Sequence, residues 1–428
     1  MSVAESTIVV TGSGLVCGAG ETVAGVCDQL LSGDSSVRPY ESWPSENWPV
    51  KFGAEVTTDN RTLVPERKLH KTISKSDLFG IYAAERAIDG SGWKSWRDGL
   101  DESEQPAFND QTGIIAGSGG GSFHSNYDYL PLIESAEGEL QRFGAELSEQ
   151  VTPMWLLKNL PNNVLCHVGI RAQFKGTNAC ITNHCASGPL AVGEGVAAIR
   201  NGEASRIVAV AHDAPFEPEN LLYYYQLGLA TDGIPRPFDR SRSGTALGEG
   251  AAAVALETEQ SAASRGAEVL GKILGFACVG EATGVFELDE EGSGVNRAIT
   301  MALADADLSP DGIDLIVAHG NGTPASDKTE ALGIREAFGS SEIPPVTAFK
   351  WAFGHMIAAS GMADLALTLE LLKRGEVPAV PNFEAPDPEF ADFPIATRSG
   401  SHQIKTALLI CRGFGGVNTA LIVGLPTQ

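Results

Sequence analysis

Three residues far apart along the chain have the types and settings for nucleophilic and proton-transfer chemistry. Cys185 lies in Asn183-His-Cys-Ala-Ser-Gly188, between a short apolar run and a small-residue stretch with helical spacing. A cysteine at a helix N-terminus faces unsatisfied backbone N–H groups and the positive end of the helix dipole. Both favour the thiolate, which is the nucleophile, and the same N–H groups suit an oxyanion hole. Taken alone, the position also suits a small buried structural cysteine, the commoner fate of the type. Cys180, inside the preceding run, is expected to be buried and inert. His319 follows the apolar run Leu315-Ile-Val-Ala318 and opens the loop Gly-Asn-Gly-Thr-Pro324. The carboxyl end of a strand before a glycine loop is where α/β sheets place catalytic groups; the plainer reading is a histidine bonding a loop carbonyl. Asp327 and Glu330 fall on the helix that follows, where carboxylates cap or hold nearby cations. His355 sits after Gly354 in Lys350-Trp-Ala-Phe-Gly-His-Met-Ile-Ala-Ala-Ser-Gly361, and the same two readings apply. Near the end, Gly413-Phe-Gly-Gly416 with Asn418 implies close backbone approach to another group, and Phe414 among the glycines suits a gate.

The elements that must position these residues are apolar, β-rich runs alternating with Ala- and Leu-rich helical stretches. Strands are expected at Ile8–Thr11, Thr112–Ala116, Ala179–Thr182, Arg206–Ala211, Leu315–Ala318, Ala407–Ile410 and Thr419–Gly424. Helices are expected over Lys75–Ile88 and Ala186–Arg200, and a second βα series begins near Val269. Strands alternating with helices predict an α/β protein whose helices cover its sheets. The two series suggest a distant duplication about residue 260. Ser95–Gln111 and the Pro-rich Val377–Arg398 read as surface excursions, the second in extended form. Gly12-Ser-Gly14 hints at a dinucleotide fingerprint, but the third glycine would fall at Cys17 and no acidic residue follows in the proper context. A tight strand-to-helix turn is the expectation there.

Composition narrows the function classes. The 428 residues carry 30 basic and 54 acidic side chains, a net charge of −24, which opposes general nucleic-acid binding or attraction to anionic membranes. No run approaches the roughly 18 uninterrupted apolar residues of a membrane helix. The opening Met1-Ser-Val-Ala-Glu-Ser6 has neither a basic region nor an apolar core, so no secretory signal is expected and a cytosolic location is. Seven scattered cysteines without a CxxC pair argue against a disulfide framework or a zinc site.

The separated elements fall into one known order. With Val9-Val-Thr-Gly12, Arg67-Lys68, Pro161-Asn162, Lys175-Gly-Thr-Asn178, Arg236-Pro-Phe-Asp-Arg240, Gly248-Glu-Gly-Ala251 and Pro386-Asp-Pro-Glu389, the sequence resembles the elongating β-ketoacyl-[acyl-carrier-protein] synthases and the related type II polyketide ketosynthases over nearly its whole length. That family's nucleophile follows the glycine of a KGPN-like turn by nine residues, and counting from Gly176 selects Cys185 over Cys180. The resemblance implies the thiolase fold: duplicated βαβα halves in a five-layered αβαβα core, usually dimeric. Residues 1–260 would carry the cysteine and 261–428 both histidines. It implies acylation of Cys185 by a carrier-protein thioester, then decarboxylative condensation with a malonyl-type extender. His319 and His355 would stabilise the enolate, and the Cys185 and Phe414 N–H groups would form the oxyanion hole. Lys350, with Glu330 and Asp327, would organise the histidines, and Asn321 and Thr323 would meet the pantetheine arm. No metal or redox cofactor is implied, since phosphopantetheine arrives on the acyl carrier protein.

Several positions depart from the family's pattern. Thr-Ala-Cys is here Asn183-His184-Cys185, and a threonine common in the histidine loop is Asn321. In the final loop Arg412 and Val417 stand for a phenylalanine and a threonine. These changes favour a polyketide or polyene pathway over housekeeping fatty-acid elongation. The basic cluster Arg67, Lys68, His70, Lys71 and Lys75, in so acidic a chain, suits docking of an acidic carrier protein; a solvated helix start is the plainer reading. Either a homodimer or a heterodimer with a related subunit is compatible. A chain-length-determining partner subunit and an acyltransferase without condensation stay open as alternatives, and a thiolase is disfavoured because Cys411 does not replace the histidine pattern.

Overall fold

The computed structural model describes residues 7–426 except 43–45, 121–123 and 152–153, together with no side chain of residues 124–129. Gly121, at the end of a glycine run, and the first six residues, on which the signal reading rests, lie outside the described residues.

Among the described residues, ten strands hydrogen-bond as consecutive neighbours: β1 (Ile8–Cys17), β2 (Thr112–Ser118), β3 (Asn178–Ile181), β4 (Arg206–Asp213), β5 (Gly250–Thr258), β6 (Gly271–Gly280), β7 (Leu315–Val317), β8 (Val346–Thr347), β9 (Thr406–Gly413) and β10 (Val417–Gly424). Their spatial order is β8-β7-β9-β10-β6-β1-β5-β4-β2-β3. In each half, the first strand pairs antiparallel with the last, the last antiparallel with the fourth, and the fourth parallel with the second, which pairs parallel with the third. The duplication expected from sequence is therefore a repeat of topology. The halves meet where β1 runs antiparallel to β6, Ile8 opposite Ile273 and Val10 opposite Gly271.

The principal helices are α1 (Lys75–Ser91), α2 (Ser187–Arg200), α3 (Ser293–Asp305), α4 (Pro324–Phe338) and α5 (Ser360–Arg374). Helix α1 packs on β1, β4 and β5, while α3 packs on β6 and β10 with α4 beside it. Between the half-sheets, α2 lies on β2 and β4, and α5 touches both β5 and β9. The result is the five-layered arrangement of the thiolase fold. Being covered on both faces, β4 and β5 are almost continuously buried Val, Ala, Ile and Leu. Helix α5 is buried nearly all round, as the middle layer requires. Helix α1 starts on a capping box, with Ser74 and Asp77 each accepting the other's backbone N–H.

Close approach explains the first departure from expectation. Gly12-Ser-Gly14 is no turn but the middle of β1. A Cβ at Gly12 would stand 2.1 Å from Ala87 O, and one at Gly14 2.1 Å from Ala83 O. The glycines let α1 settle directly onto the strand. Ser95–Gln111 contains helical turns from Trp93–Asp98 and Gln105–Asp110, anchored by buried Phe108 against Phe174. The Pro-rich segment is likewise not confined to the surface, because Phe390 and Phe393 are buried against Phe238. Cys180 is half-buried on edge strand β3, not sealed in the core.

Candidate active site

The duplicated turns that precede α2 and α5 build the centre of the site. Each is a single turn of 3-10 helix, His184–Ala186 in one half and Ile357–Ala359 in the other, leading straight into the α-helix. His184 and Ile357 occupy the same place in their turns and share a left-handed backbone, φ 48° and 44°. That region is sparsely used by non-glycine residues and by a β-branched one least of all, so the fold imposes the conformation in both halves. Four residues into each motif a serine closes the turn: Ser187 Oγ accepts the Asn183 N–H at 2.8 Å, and Ser360 Oγ accepts the Met356 N–H at 2.9 Å. The helix starts touch through glycine. A Cβ on Gly188 would come within 2.8 Å of Ala358 O, and one on Gly361 within 2.5 Å of Pro189. This contact brings Cys185 and His355 together across the two halves.

The Cys185 Sγ lies 3.1 Å from His355 Nε2 and 3.0 Å from His184 Nδ1. The His355 and His319 rings cross at 84° with centroids 5.2 Å apart. On the far side of each imidazole, Nδ1 has a partner. Ser360 Oγ is 2.9 Å from Nδ1 of His355, and the Arg412 backbone N–H donates to Nδ1 of His319 at 3.3 Å. Burial first, then the nearby Lys350 ammonium, pushes both histidines well below their ordinary pKa. They are neutral imidazoles. Burial also pushes the Cys185 thiol well above its ordinary value, although Lys350 pulls the other way. The helix-start argument for a resting thiolate is thus outweighed by loss of water around the sulfur.

Carboxylates organise the backbone around these groups. Glu330 on α4 accepts the N–H groups of His319 at 2.7 Å and Gly320 at 3.0 Å, fixing the loop at the end of β7. Asp327, one turn earlier, accepts from Phe238 N at 2.7 Å and Gly322 N at 3.1 Å. It therefore ties the loop to the Arg236–Arg240 segment and does not itself support a histidine ring. Lys350 pairs with Asp364 on α5 at 3.5 Å, both side chains buried, and its ammonium also acts electrostatically on Glu330, the partner expected from sequence. Asn321 Oδ1 accepts both the N–H and the hydroxyl of Thr323, at 2.9 and 2.8 Å.

The glycine loop after β9 closes the site. A Cβ at Gly413 would begin 3.6 Å from the Cys185 amide N, so this backbone runs beside that of Cys185. Cys411 is buried, its thiol donating to Cys185 O at 3.1 Å. Phe414 stacks on His184 at 4.6 Å and meets Tyr224 and Phe286. Phe414 and Tyr224 line two cavities. The smaller, about 140 Å³, contains Cys185, His319, Asn321, Thr323 and His355; the larger, about 850 Å³, contains His184, Asp213 and Ile357. Arg412, noted in sequence only as a departure, is buried and clamps this loop to α4. It donates to Ser326 O at 2.7 Å, to Thr329 Oγ1 at 2.8 Å and to Asn418 Oδ1 at 2.9 Å, and pairs with Glu281 at 3.1 Å.

The basic cluster divides. Arg67, Lys68 and Lys71 are exposed and line neither cavity. Lys75 belongs to an internal pair with Glu249 at 2.5 Å, and the His70 ring is engaged by Val64 O at 2.7 Å. Glu281, Ser360 and Asp364 were not singled out from sequence, because single polar residues in apolar or acidic stretches carry no local mark of their partners. The four-residue echo Cys185-Ala-Ser-Gly188 and Ala358-Ala-Ser-Gly361 is the signal that would have found Ser360.

Fold and site together define a thiolase-fold chain with a buried cysteine in contact with His355, whose ring stands across from that of His319. Comparison with known proteins narrows the class. Residues 5–262 match the family description "Beta-ketoacyl synthase, N-terminal domain" and residues 270–384 match "Beta-ketoacyl synthase, C-terminal domain". The chain belongs to the beta-ketoacyl synthase family. It is 29% identical to 3-oxoacyl-[acyl-carrier-protein] synthase 2 of Coxiella burnetii over 97% of this chain and 98% of that one. It is 28% identical to the tetracenomycin polyketide synthase ketoacyl synthase alpha subunit of Streptomyces glaucescens, over 99% and 98%. Among solved structures, a beta-ketoacyl synthase from Burkholderia phymatum superposes with a TM-score of 0.86 at 24% identity, covering 99% of this chain and 100% of that one. A type II polyketide ketosynthase solved with its acyl carrier protein superposes at 0.78 with 25% identity and the same coverage. Among the described residues, no helix is long and apolar enough to cross a membrane.

Proposed function

We propose that this chain is a 3-oxoacyl-[acyl-carrier-protein] synthase that joins an acyl group on Cys185 to a malonyl-type extender with loss of CO₂. The observation that carries the reading is the convergence of the Cys185 sulfur and the two neutral imidazoles on one narrow cavity beside Phe414. Acyl transfer from a carrier-bound thioester places the chain on Cys185. The oxyanion of that step falls to the N–H groups of Cys185 and Phe414, whose loop runs along the nucleophile's backbone. The extender, on a second carrier, then breaks its bond to the carboxyl carbon, and the electron pair becomes an enolate. Nε2–H of His319 and His355 donate to the enolate oxygen, and the carbanion attacks the Cys185 thioester, giving a carrier-bound 3-oxo product and expelling the Cys185 thiolate, which takes a proton from solvent. Such preorganised donors in a dry site contribute about 3–4 kcal/mol each to a developing oxyanion.

The exposed Arg67, Lys68 and Lys71 suit docking of an acidic carrier protein, and Asn321 and Thr323 line the cavity its pantetheine arm would enter. The reaction calls for no metal or redox cofactor. Exposed Leu130, Ile133, Leu140, Leu156 and Leu157, together with edge strand β3, support a subunit interface with a second copy or a related chain. Charged groups in the larger cavity, Lys75, Asp213 and Glu217 among them, favour a chain carrying oxygen, hence a polyketide-type pathway. A cytosolic location, where carrier-bound thioesters are made, accords with this chemistry. Incubation with acyl- and malonyl-carrier thioesters is expected to release CO₂ and yield a carrier-bound 3-oxo thioester longer by two carbons. Carbon dioxide without a new carbon–carbon bond, for every acyl chain tried, would contradict the proposal.

A further inference from the structure

The sulfur of Cys185 needs a partner that accepts its proton, since the surrounding protein holds it as a thiol. Two imidazole nitrogens are within reach, His355 Nε2 at 3.1 Å and His184 Nδ1 at 3.0 Å. Their hydrogen-bond inventories differ. Ser360 Oγ accepts the Met356 N–H and lies 2.9 Å from Nδ1 of His355, so its hydroxyl has Nδ1 to donate to when the ring proton sits on Nε2, the tautomer the proposed enolate-donor role requires. His319 is fixed the same way, its Nδ1 accepting from Arg412 N. In that state both rings present Nε2–H to the cavity, as an enolate oxygen requires, and an Nε2 that already carries a proton does not accept one from the sulfur. Among the described residues, Nδ1 of His184 is the remaining imidazole nitrogen against the sulfur. The ring is held there by stacking on Phe414, interplanar angle 29°, and by a backbone turn that recurs at Ile357.

We propose that His184 is a further catalytic residue of this site, the base for acyl transfer, which leaves His319 and His355 as donors throughout. As Sγ attacks the carrier-bound thioester carbonyl, the S–H proton passes to His184 Nδ1. When the tetrahedral intermediate collapses, the carbon–sulfur bond to pantetheine breaks and the departing sulfur takes that proton back. One thioester is exchanged for another, with no proton gained or lost overall. Burial pushes His184 down to about 4, so above pH 5 the ring stands ready as a neutral base. The assignment rests on the acyl-transfer reading given above.

The test compares wild type with His184→Phe, which keeps a ring to stack on Phe414, and His184→Ala. Rapid-quench intact mass follows acylation of Cys185 by an acyl-carrier thioester. Enzyme acylated to completion beforehand is then given malonyl-carrier thioester to follow condensation alone. Loss of a general base is expected to slow acylation about 10²-fold in His184→Phe, while condensation by the acylated variant stays within about threefold of wild type. Acylation by the variant should also rise roughly tenfold per pH unit between 6 and 8.5, tracking the thiolate fraction, where wild type is nearly flat. Alkylation of Cys185 by iodoacetamide, which needs no carrier, should show the same steepened pH profile. Unchanged acylation and alkylation in His184→Phe would overturn the assignment, as would equal loss of both half-reactions, which marks a packing role. If wild type accepts no acyl group yet His184→Phe still alters alkylation, the acyl-transfer reading fails and His184 remains the base of the thiol.

Discussion

The rings of His319 and His355 cross at 84° with centroids 5.2 Å apart, both lying beyond the carboxyl ends of the parallel strands β7 and β8, and each has its Nδ1 engaged away from the cavity. In the proposed mechanism their work is separable from that of Cys185. His319→Ala is expected to keep acylation of Cys185 within a few fold and to lower CO₂ release from malonyl-carrier thioester about 10²- to 10³-fold. Cys185→Ala should do the converse, releasing CO₂ without forming a carbon–carbon bond. Labelled CO₂ release and carrier-bound product, measured on both variants, check the division of labour; equal loss of both activities in both variants contradicts it.

Lys350 and Asp364 form a buried pair at 3.5 Å. Burial acts to lower Lys350, but Asp364 and neighbouring groups outweigh it and hold the ammonium above its ordinary value. Asp364→Leu strands a buried cation and is expected to cost about 3–5 kcal/mol in urea unfolding. Adding Lys350→Met should recover most of that stability but not the activity, because the charge beside the histidines and the thiol is gone. A double variant no more stable than Asp364→Leu counts against the pair.

Arg412 and Glu281 are coupled through a network that reaches Ser326, Thr329 and Asn418. Arg412→Met leaves Glu281 short of its counter-charge and frees the glycine loop from α4. A double-mutant cycle with Glu281→Gln should give a coupling energy of about 1–3 kcal/mol. Additive losses would show that the clamp is not one unit.

Burial raises the Asp213 carboxyl to about 7 from an ordinary 3.8, with only two backbone N–H groups opposing it. The folded protein thus binds this proton more tightly than the unfolded chain. Its stabilising contribution is full below about pH 4 and is lost as pH rises through 7, on the order of 4 kcal/mol. Asp327 is raised to about 7 for the same principal reason and contributes a similar slope. Asp213→Asn should flatten part of the fall in melting temperature between pH 5 and 8, so that the variant gains most on wild type at pH 8. An undiminished slope would show that Asp213 is solvated.

Much of this site is legible in sequence because its chemistry-bearing residues stand at strand ends beside glycines, where local pattern marks them. Cys185, His319, His355 and Phe414 are of that kind. Their partners are not. Asp364 lies in a run of small apolar residues and Glu281 in a polar loop, and only the stacking of layers brings them to Lys350 and Arg412. Gly12 and Gly14 mislead for a related reason: a glycine that admits a helix onto a strand looks, in sequence, like one that makes a turn. The left-handed backbone at Ile357 carries no mark, since a β-branched residue disfavours it. The helix start just after Cys185 is visible in sequence, whereas the burial that overrides its effect on the thiol is a property of the assembled layers. The surface excursions fail through single aromatic anchors, Phe108, Phe390 and Phe393, within otherwise polar segments.

The most direct measurement is the intact mass of the protein after mixing with acyl-carrier thioesters, followed by malonyl-carrier thioester, with Cys185→Ala in parallel. A gain of one acyl group on the wild-type chain alone, discharged by the malonyl carrier with appearance of a two-carbon-longer 3-oxo thioester, is the predicted result. An adduct that also forms on Cys185→Ala, or one that the malonyl carrier never discharges, would contradict condensation at this site.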